Sequence, residues 1–200
     1  MATSTKTELR STVFNLPNQL TVARLVLAIV LFVLMTAQYY LISLVVFLVA
    51  ATTDWLDGYL ARRWGLVTTL GRILDPFADK IIICGTLILL VAAPSPGLQA
   101  LGMQAWVAVL VVGRELLITA LRSFLEQQGA DFSAAMSGKL KMVAQCAAAA
   151  LALFYLTYPS PAEVPGWLPI LVRISIWATV LLTVYSGVAY VRTAVRLLRD

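Results

Sequence analysis

Six apolar stretches run through this chain of 200 residues, and each is long enough, or nearly so, to cross a lipid bilayer as a helix. They cover residues 20–37, 41–60, 73–93, 103–125, 140–157 and 168–191. A membrane-spanning helix needs about 20 predominantly apolar residues, with a range of roughly 17–25. Since 60% of the residues are hydrophobic, the sequence predicts an all-α integral membrane protein with six transmembrane helices.

The basic residues predict the orientation of these helices. The connections near 38–40, 94–102 and 158–167 contain none of the fifteen Lys and Arg residues. Most of them lie in the other connections and near the ends, at Lys6, Arg10, Arg62, Arg63, Arg72, Lys139, Lys141, Arg192, Arg196 and Arg199. Because cytoplasmic segments carry the excess of positive charge, both termini are expected in the cytoplasm. Residues 1–14 are expected to form a polar tail or an interfacial helix, and residues 15–200 a six-helix transmembrane domain.

The composition excludes several kinds of site. The chain contains no histidine, so a general base must be a carboxylate or a lysine, and no metal can be ligated by imidazole. The net charge of +5 follows mostly from the topology, and no soluble basic module is available to bind nucleic acid. Cys84 and Cys146 both lie inside apolar stretches, where small buried hydrophobic residues are expected rather than a disulfide.

Four aspartates stand near the cytoplasmic ends of the second and third stretches, at Asp54, Asp57, Asp75 and Asp79. A carboxylate at membrane depth costs about 2.5–3.5 kcal/mol on insertion scales, so a group of four indicates a function. The spacings of three and four residues place each pair on one face of a helix. Carboxylate oxygens are hard ligands that suit Mg²⁺ or Mn²⁺ rather than zinc. The sequence therefore predicts a metal-dependent active site at the membrane surface.

Local chain signals offer another role for one of these carboxylates. Asp75 followed by Pro76 is typical of a helix start, with Asp as the N-cap and Pro in the first turn. Asn18 is likewise expected to cap the first helix. Taken alone, capping and metal ligation explain Asp75 equally well, but the three neighbouring aspartates favour metal ligation.

The residues around the aspartates resemble the signature of the CDP-alcohol phosphotransferases, D-x2-D-G-x2-A-R-x8-G-x3-D-x3-D, and every specified position is filled here. The resemblance implies the family's six-helix fold in the cytoplasmic membrane, with the active site facing the cytoplasm. It also implies a site with two metal ions, Mg²⁺ or Mn²⁺, since two hard cations steady the attacking and leaving oxygens of an in-line transfer. Such proteins look like enzymes that move a phosphatidyl group from CDP-diacylglycerol to a second alcohol and release CMP.

The resemblance also assigns roles by position. Asp54, Asp57 and Asp75 would ligate metal, and Asp79 would ligate metal and act as the general base on the acceptor hydroxyl. The nucleotide and diphosphate of CDP-diacylglycerol would be held by Asn18, Thr21, Asp54, Gly58, Ala61, Arg62 and Thr68.

A second group of residues indicates the acceptor. The segments at 15–24, 113–122 and 137–145 resemble the phosphatidylglycerophosphate synthase branch of the family, with one departure at Met142, where that branch usually has Thr. Glycerol 3-phosphate is a dianion, so its phosphate is expected to bind Arg114, Arg122, Lys139 and Lys141. Inositol phosphate would need the same cations, and phosphatidylglycerol is a further acceptor within the family, so both stay open.

A divalent-cation transporter is the alternative from another class, because intramembrane carboxylates also bind ions there. The transporter interpretation leaves Gly58, Ala61 and Arg62 without a role. The ion-binding carboxylates of transporters lie near the middle of the membrane, whereas the four aspartates cluster toward one side.

The remaining features are interpreted as scaffold. Arg24 is expected to reach headgroup phosphates, and Trp177, Tyr185 and Tyr190 to belong to packing surfaces and interfacial belts. The resemblance implies a homodimer formed through the later helices.

Overall fold

The chain is entirely helical over the residues that the computed structural model describes, 16–64, 69–127 and 136–197, apart from the short connections between helices. The six long helices are α1 (Leu16–Thr36), α2 (Tyr40–Trp64), α3 (Thr69–Ala92), α5 (Ala105–Gln127), α6 (Met136–Leu156) and α7 (Trp167–Leu197). A short helix, α4 (Pro96–Ala100), and a 3-10 turn (Pro161–Glu163) lie in two of the connections. Each of the six apolar stretches falls on one long helix, so the all-α prediction is confirmed. The predicted tail, residues 1–14, lies outside the described residues.

Length and composition mark one described segment, Trp167–Arg196, as able to cross a membrane. Shorter apolar segments are Thr21–Thr36, Tyr40–Thr53, Lys80–Ala92 and Leu140–Leu156. The apolar parts of α2 and α3 are short because they stop where the aspartates begin, and adjacent charges at Arg114 and Glu115 interrupt α5. Six spans and two cytoplasmic termini therefore stay predictions.

The predicted cap at Asn18 is wrong, and capping is also excluded as the alternative role of Asp75. Helix α1 begins at Leu16, so Asn18 lies in its first turn rather than at the N-cap. Pro17 is tolerated in this first turn because its missing N–H would be unpaired in any case. Helix α3 begins at Thr69, so Asp75 lies in the second turn and does not cap it. Capping therefore no longer competes with metal ligation for Asp75.

The first compact unit of the chain extends to Gly85 and is built on an antiparallel pair of helices. Helices α1 and α2 pack together and are joined by a tight turn at which Gln38 adopts a φ of 63°. The buried positions of α1 recur every three or four residues, as expected for one packed helix face. They are Thr21, Arg24, Ala28, Leu31 and Met35, and those of α2 include Ser43, Phe47 and Ala50.

Gly85 of α3 is in close contact with Phe32 of α1. A Cβ atom added at Gly85 would lie 2.7 and 2.9 Å from the Cε1 and Cε2 atoms of the Phe32 ring. We therefore expect Gly85→Val to lower the free energy of unfolding by about 1–3 kcal/mol through overpacking. Thermal unfolding in detergent measures this loss, with Gly113→Val as the matched control, because nothing lies within 4 Å of a Cβ at Gly113. Equal unfolding temperatures for the two variants would contradict the close packing.

The second compact unit begins at Thr86, and within it α7 packs against both α5 and α6. The alanine run 147–150, expected to be a packing surface, contributes Ala148 and Ala149, which are at most 1% exposed. Small side chains allow neighbouring helix backbones to approach closely. Cys84 and Cys146 are half-buried and form no disulfide.

Candidate functional site

The four aspartates all lie in helical backbone, and their side chains lie outside the described part of the structure. Asp54 and Asp57 are in α2, and Asp75 and Asp79 in α3. Because both segments are continuous helix, the members of each pair are about one turn apart along the axis. No group of three or more His, Cys, Asp or Glu that could hold a metal occurs among the side chains that are described. The four-carboxylate metal site therefore stays a prediction.

The predicted nucleotide-binding residues are only partly described. Gly58, Ala61 and Arg62 lie in α2 and Asn18 in α1, with side chains outside the described set, and Thr68 lies outside the described residues altogether. Thr21 is described, and it is buried in α1 with 1% of its surface exposed. Thr21 and Asp54 are almost equally far along the chain from the turn at Gln38. In an antiparallel helix pair, this equal distance puts the two residues at about the same level.

Arg24 differs from its sequence-based interpretation. It is 2% exposed and belongs to the buried stripe of α1, so it does not extend toward lipid headgroups. A buried cation of this kind is expected to serve the protein interior, because desolvating a charge is costly unless it is paired.

A buried polar cluster lies between α5 and α6, and we call it the Glu115 cluster. It consists of Arg114, Glu115, Lys141 and Gln145, each at most 9% exposed. Arg114 Nη1 donates a hydrogen bond to Glu115 Oε1 at 3.2 Å, and Gln145 Nε2 donates to the same oxygen at 3.5 Å. Lys141 Nζ also donates to this oxygen. One carboxylate oxygen thus joins three side chains from two helices.

The described side chains of the Glu115 cluster contribute two positive charges, on Arg114 and Lys141, and one negative charge, on Glu115. A buried charge is costly unless an opposite charge compensates it. Two buried cations on neighbouring helices therefore make the cluster a candidate site for an anion.

Arg114 has the geometry to bind such an anion directly. Its Nε and Nη2 atoms are shielded from solvent and have no hydrogen-bond partner among the described residues. These two N–H groups point from the same edge of the guanidinium plane. That edge can donate two parallel hydrogen bonds to the oxygens of one phosphate or carboxylate.

The other predicted phosphate ligands differ in how far the structure describes them. Arg122 is half-buried, and its Nε is also shielded without a partner among the described residues. Lys139 lies in the first turn of α6, and its side chain is not described. Lys141 Nζ donates to Glu115 Oε1 and is therefore held in the Glu115 cluster.

Sequence reasoning did not assign Glu115 and Gln145 to the site. A signal for both was present, because an Arg-Glu pair inside an apolar helix has to face other charges or a polar interior. Gln145 also follows Lys141 by four residues, which places the two on one face of a helix.

The chain matches known proteins along most of its length. The family model for CDP-alcohol phosphatidyltransferases matches residues 14–185. A Bacillus subtilis protein named CDP-diacylglycerol–glycerol-3-phosphate 3-phosphatidyltransferase is 34% identical over 192 residues, covering 88% of this chain and 93% of the relative. A protein of the same name from Haemophilus influenzae is 32% identical over 189 residues, covering 90% and 94%. Another from Salmonella typhimurium is 37% identical over 149 residues, covering 70% and 78%.

Proposed function

Since this chain belongs to the CDP-alcohol phosphatidyltransferase family, we propose that it transfers the phosphatidyl group of CDP-diacylglycerol to glycerol 3-phosphate. The products are phosphatidylglycerophosphate and CMP, and the reaction is a step of phospholipid biosynthesis. Relatives that resemble the chain over most of its length carry both substrates in their names, which supports this assignment.

The four aspartates fit a divalent metal site that holds Mg²⁺ or Mn²⁺. All four donors are hard carboxylate oxygens, which these cations prefer, and each pair occupies one turn of continuous helix. When bound, the metals neutralise charge on the phosphoryl oxygens during the transfer. Asn18, Thr21, Gly58, Ala61, Arg62 and Thr68 hold the nucleotide and the diphosphate of CDP-diacylglycerol.

Asp79 is the general base of the transfer. It takes the proton of the primary hydroxyl of glycerol 3-phosphate, and that oxygen attacks the lipid-linked phosphorus of CDP-diacylglycerol. A new phosphorus–oxygen bond forms to the glycerol as the bond to the bridging oxygen breaks. CMP leaves with the bridging oxygen, so the phosphatidyl group ends on the acceptor.

The observation that carries the choice of acceptor is the buried edge of Arg114. Two phosphate oxygens of a dianionic acceptor match the Nε and Nη2 donors of Arg114. Arg122, Lys139 and Lys141 add further positive charge. An acceptor without a phosphate offers these cations less negative charge, since serine has a single carboxylate that its own ammonium offsets.

The site works in the cytoplasmic membrane, with its active-site face toward the cytoplasm. The distribution of Lys and Arg supports this orientation. Large apolar side chains on the long helices are exposed, among them Ile29 at 63%, Val109 at 71% and Leu181 at 66%. Such surfaces are suited to contact with lipid. We propose a homodimer on the strength of family membership.

The proposal predicts which acceptors release CMP from CDP-diacylglycerol. Detergent-purified protein is incubated with Mg²⁺ or Mn²⁺ and with glycerol 3-phosphate, inositol phosphate, serine or phosphatidylglycerol. We expect CMP release with glycerol 3-phosphate only, abolished by a chelator and restored by excess divalent metal. Mass spectrometry identifies the lipid product.

Other outcomes of the CMP-release assay would change the acceptor, the metal site or the activity that we propose. Release with inositol phosphate or phosphatidylglycerol would keep the reaction and reassign the Glu115 cluster to that acceptor. Release that survives chelation would remove the metal site from the mechanism. No release with any acceptor, despite correctly folded protein, would reject the transferase activity.

A further inference from the structure

Tyr190 of α7 lies against the guanidinium of Arg114. The Cζ atom of Arg114 is 5.4 Å from the centroid of the Tyr190 ring, and the two residues are 9% and 7% exposed. A cation over an aromatic face is attracted by the ring quadrupole, and the attraction grows when both groups are out of water. The spacing of aromatic residues along α7 does not indicate this contact.

Gly187 lies one turn before Tyr190 and faces the stem of the same arginine. A Cβ atom added at Gly187 would be 3.4 Å from Arg114 Cγ, so the backbone of α7 lies close to this stem. We call Gly187 and Tyr190 the α7 seat, because they face the stem and the head of Arg114.

The face of α7 that contains Tyr190 is polar over several turns. Thr179, Thr183 and Ser186 are at most 1% exposed, and they precede Tyr190 at spacings of three or four residues. The Oγ1 atoms of both threonines have no hydrogen-bond partner among the described residues. Buried hydroxyls cost free energy unless they are paired, so this face suits a polar interior better than a purely apolar packing surface.

We propose that the α7 seat is a positioning element for acceptor binding, an inference that rests on the proposed function. Tyr190 lies against the guanidinium of Arg114, and Glu115 accepts a hydrogen bond from its Nη1, while the backbone of α7 at Gly187 lies close to the stem. This arrangement leaves the Nε and Nη2 edge to bind the phosphate of the acceptor. A side chain held in its binding geometry loses less entropy when the ligand arrives, so the acceptor binds more tightly.

Steady-state kinetics of Tyr190 variants test the inference. We expect Tyr190→Leu to raise KM for glycerol 3-phosphate on the order of tenfold, the effect of losing a desolvated cation–π contact. KM for CDP-diacylglycerol and the unfolding temperature should stay near those of the unmodified protein. Tyr190→Phe keeps the ring, so its KM for glycerol 3-phosphate should stay well below that of Tyr190→Leu. Tyr185→Leu is the matched control, because Tyr185 is 67% exposed on the same helix.

The outcomes separate this inference from the function on which it rests. If the unmodified protein transfers to glycerol 3-phosphate but Tyr190→Leu keeps its KM, the α7 seat is not a positioning element. The inference also fails if both KM values rise together, or if Tyr190→Phe loses as much as Tyr190→Leu. If the unmodified protein does not use glycerol 3-phosphate, the proposed function itself fails.

A second measurement keeps an aromatic ring at position 190 in every variant, so that folding is little disturbed. Tyr190 is replaced by phenylalanine and by phenylalanine analogues with increasing numbers of fluorine atoms, which nearly keep the shape of the ring and weaken its negative face. We expect KM for glycerol 3-phosphate to rise stepwise with fluorination. A flat series would overturn the inference.

Discussion

Asp79→Asn is expected to abolish the release of CMP. The substitution removes the proposed general base, whose contribution alone is typically about 10²–10⁴-fold in rate. It also replaces one of four carboxylate ligands by a neutral amide, which weakens the metal site. CMP release with CDP-diacylglycerol and glycerol 3-phosphate measures the loss at saturating Mg²⁺ or Mn²⁺.

Glu163→Gln is the matched control for this variant. It makes the same change from acid to amide at an exposed position of the 3-10 turn, and its rate should equal that of the unmodified protein. Recovery of the Asp79→Asn rate at metal concentrations above those that saturate the unmodified protein would show that the carboxylate acts as a ligand only. A rate above one tenth of the original at the metal concentration that saturates the unmodified protein would contradict both roles.

Glu115→Ala is expected to have the largest effect on stability. Glu115 Oε1 accepts hydrogen bonds from Arg114, Lys141 and Gln145, so the substitution removes the carboxylate that two buried cations share. Removing one partner of a buried ion pair typically costs about 3–5 kcal/mol. We expect a correspondingly lower unfolding temperature in detergent, with Glu163→Ala as the exposed control.

A second substitution separates loss of charge compensation from loss of packing. Lys141→Met removes one of the two cations, so Glu115→Ala combined with Lys141→Met should unfold at a higher temperature than Glu115→Ala alone. If the double variant is less stable than either single variant, the contacts of Glu115 contribute packing and not charge compensation.

Much of the fold follows from the sequence, because helix content in this chain depends on the length of its apolar stretches. Each predicted stretch coincides with one long helix. The predicted cap at Asn18 is wrong, because Pro17 before it is compatible with the first turn of a helix that includes Leu16. Asp75 and Pro76 also resemble a helix start, yet both lie in the second turn of α3. Cap signals depend on a few local residues, whereas the packing of a whole turn decides where the helix begins.

The candidate site is predictable to a different degree on each helix. The aspartates are predicted from their spacing, because residue types and periods are local properties, and their metal site stays a prediction. Arg114 is predicted from the charge of the acceptor, but its contacts depend on how α5, α6 and α7 align, and the connections between these helices do not indicate that alignment. The adjacent Arg and Glu indicate a polar environment for Glu115 without naming its partners, and no local pattern indicates the contact of Tyr190 with Arg114.

The central claim is most directly tested by the stoichiometry of the reaction. Purified protein is given CDP-diacylglycerol, glycerol 3-phosphate and Mg²⁺ or Mn²⁺, and CMP and phosphatidylglycerophosphate are quantified in the same sample. We predict equal molar amounts of the two products, both absent without glycerol 3-phosphate. CMP formed without phosphatidylglycerophosphate, or neither product from folded protein, would contradict phosphatidyl transfer to this acceptor.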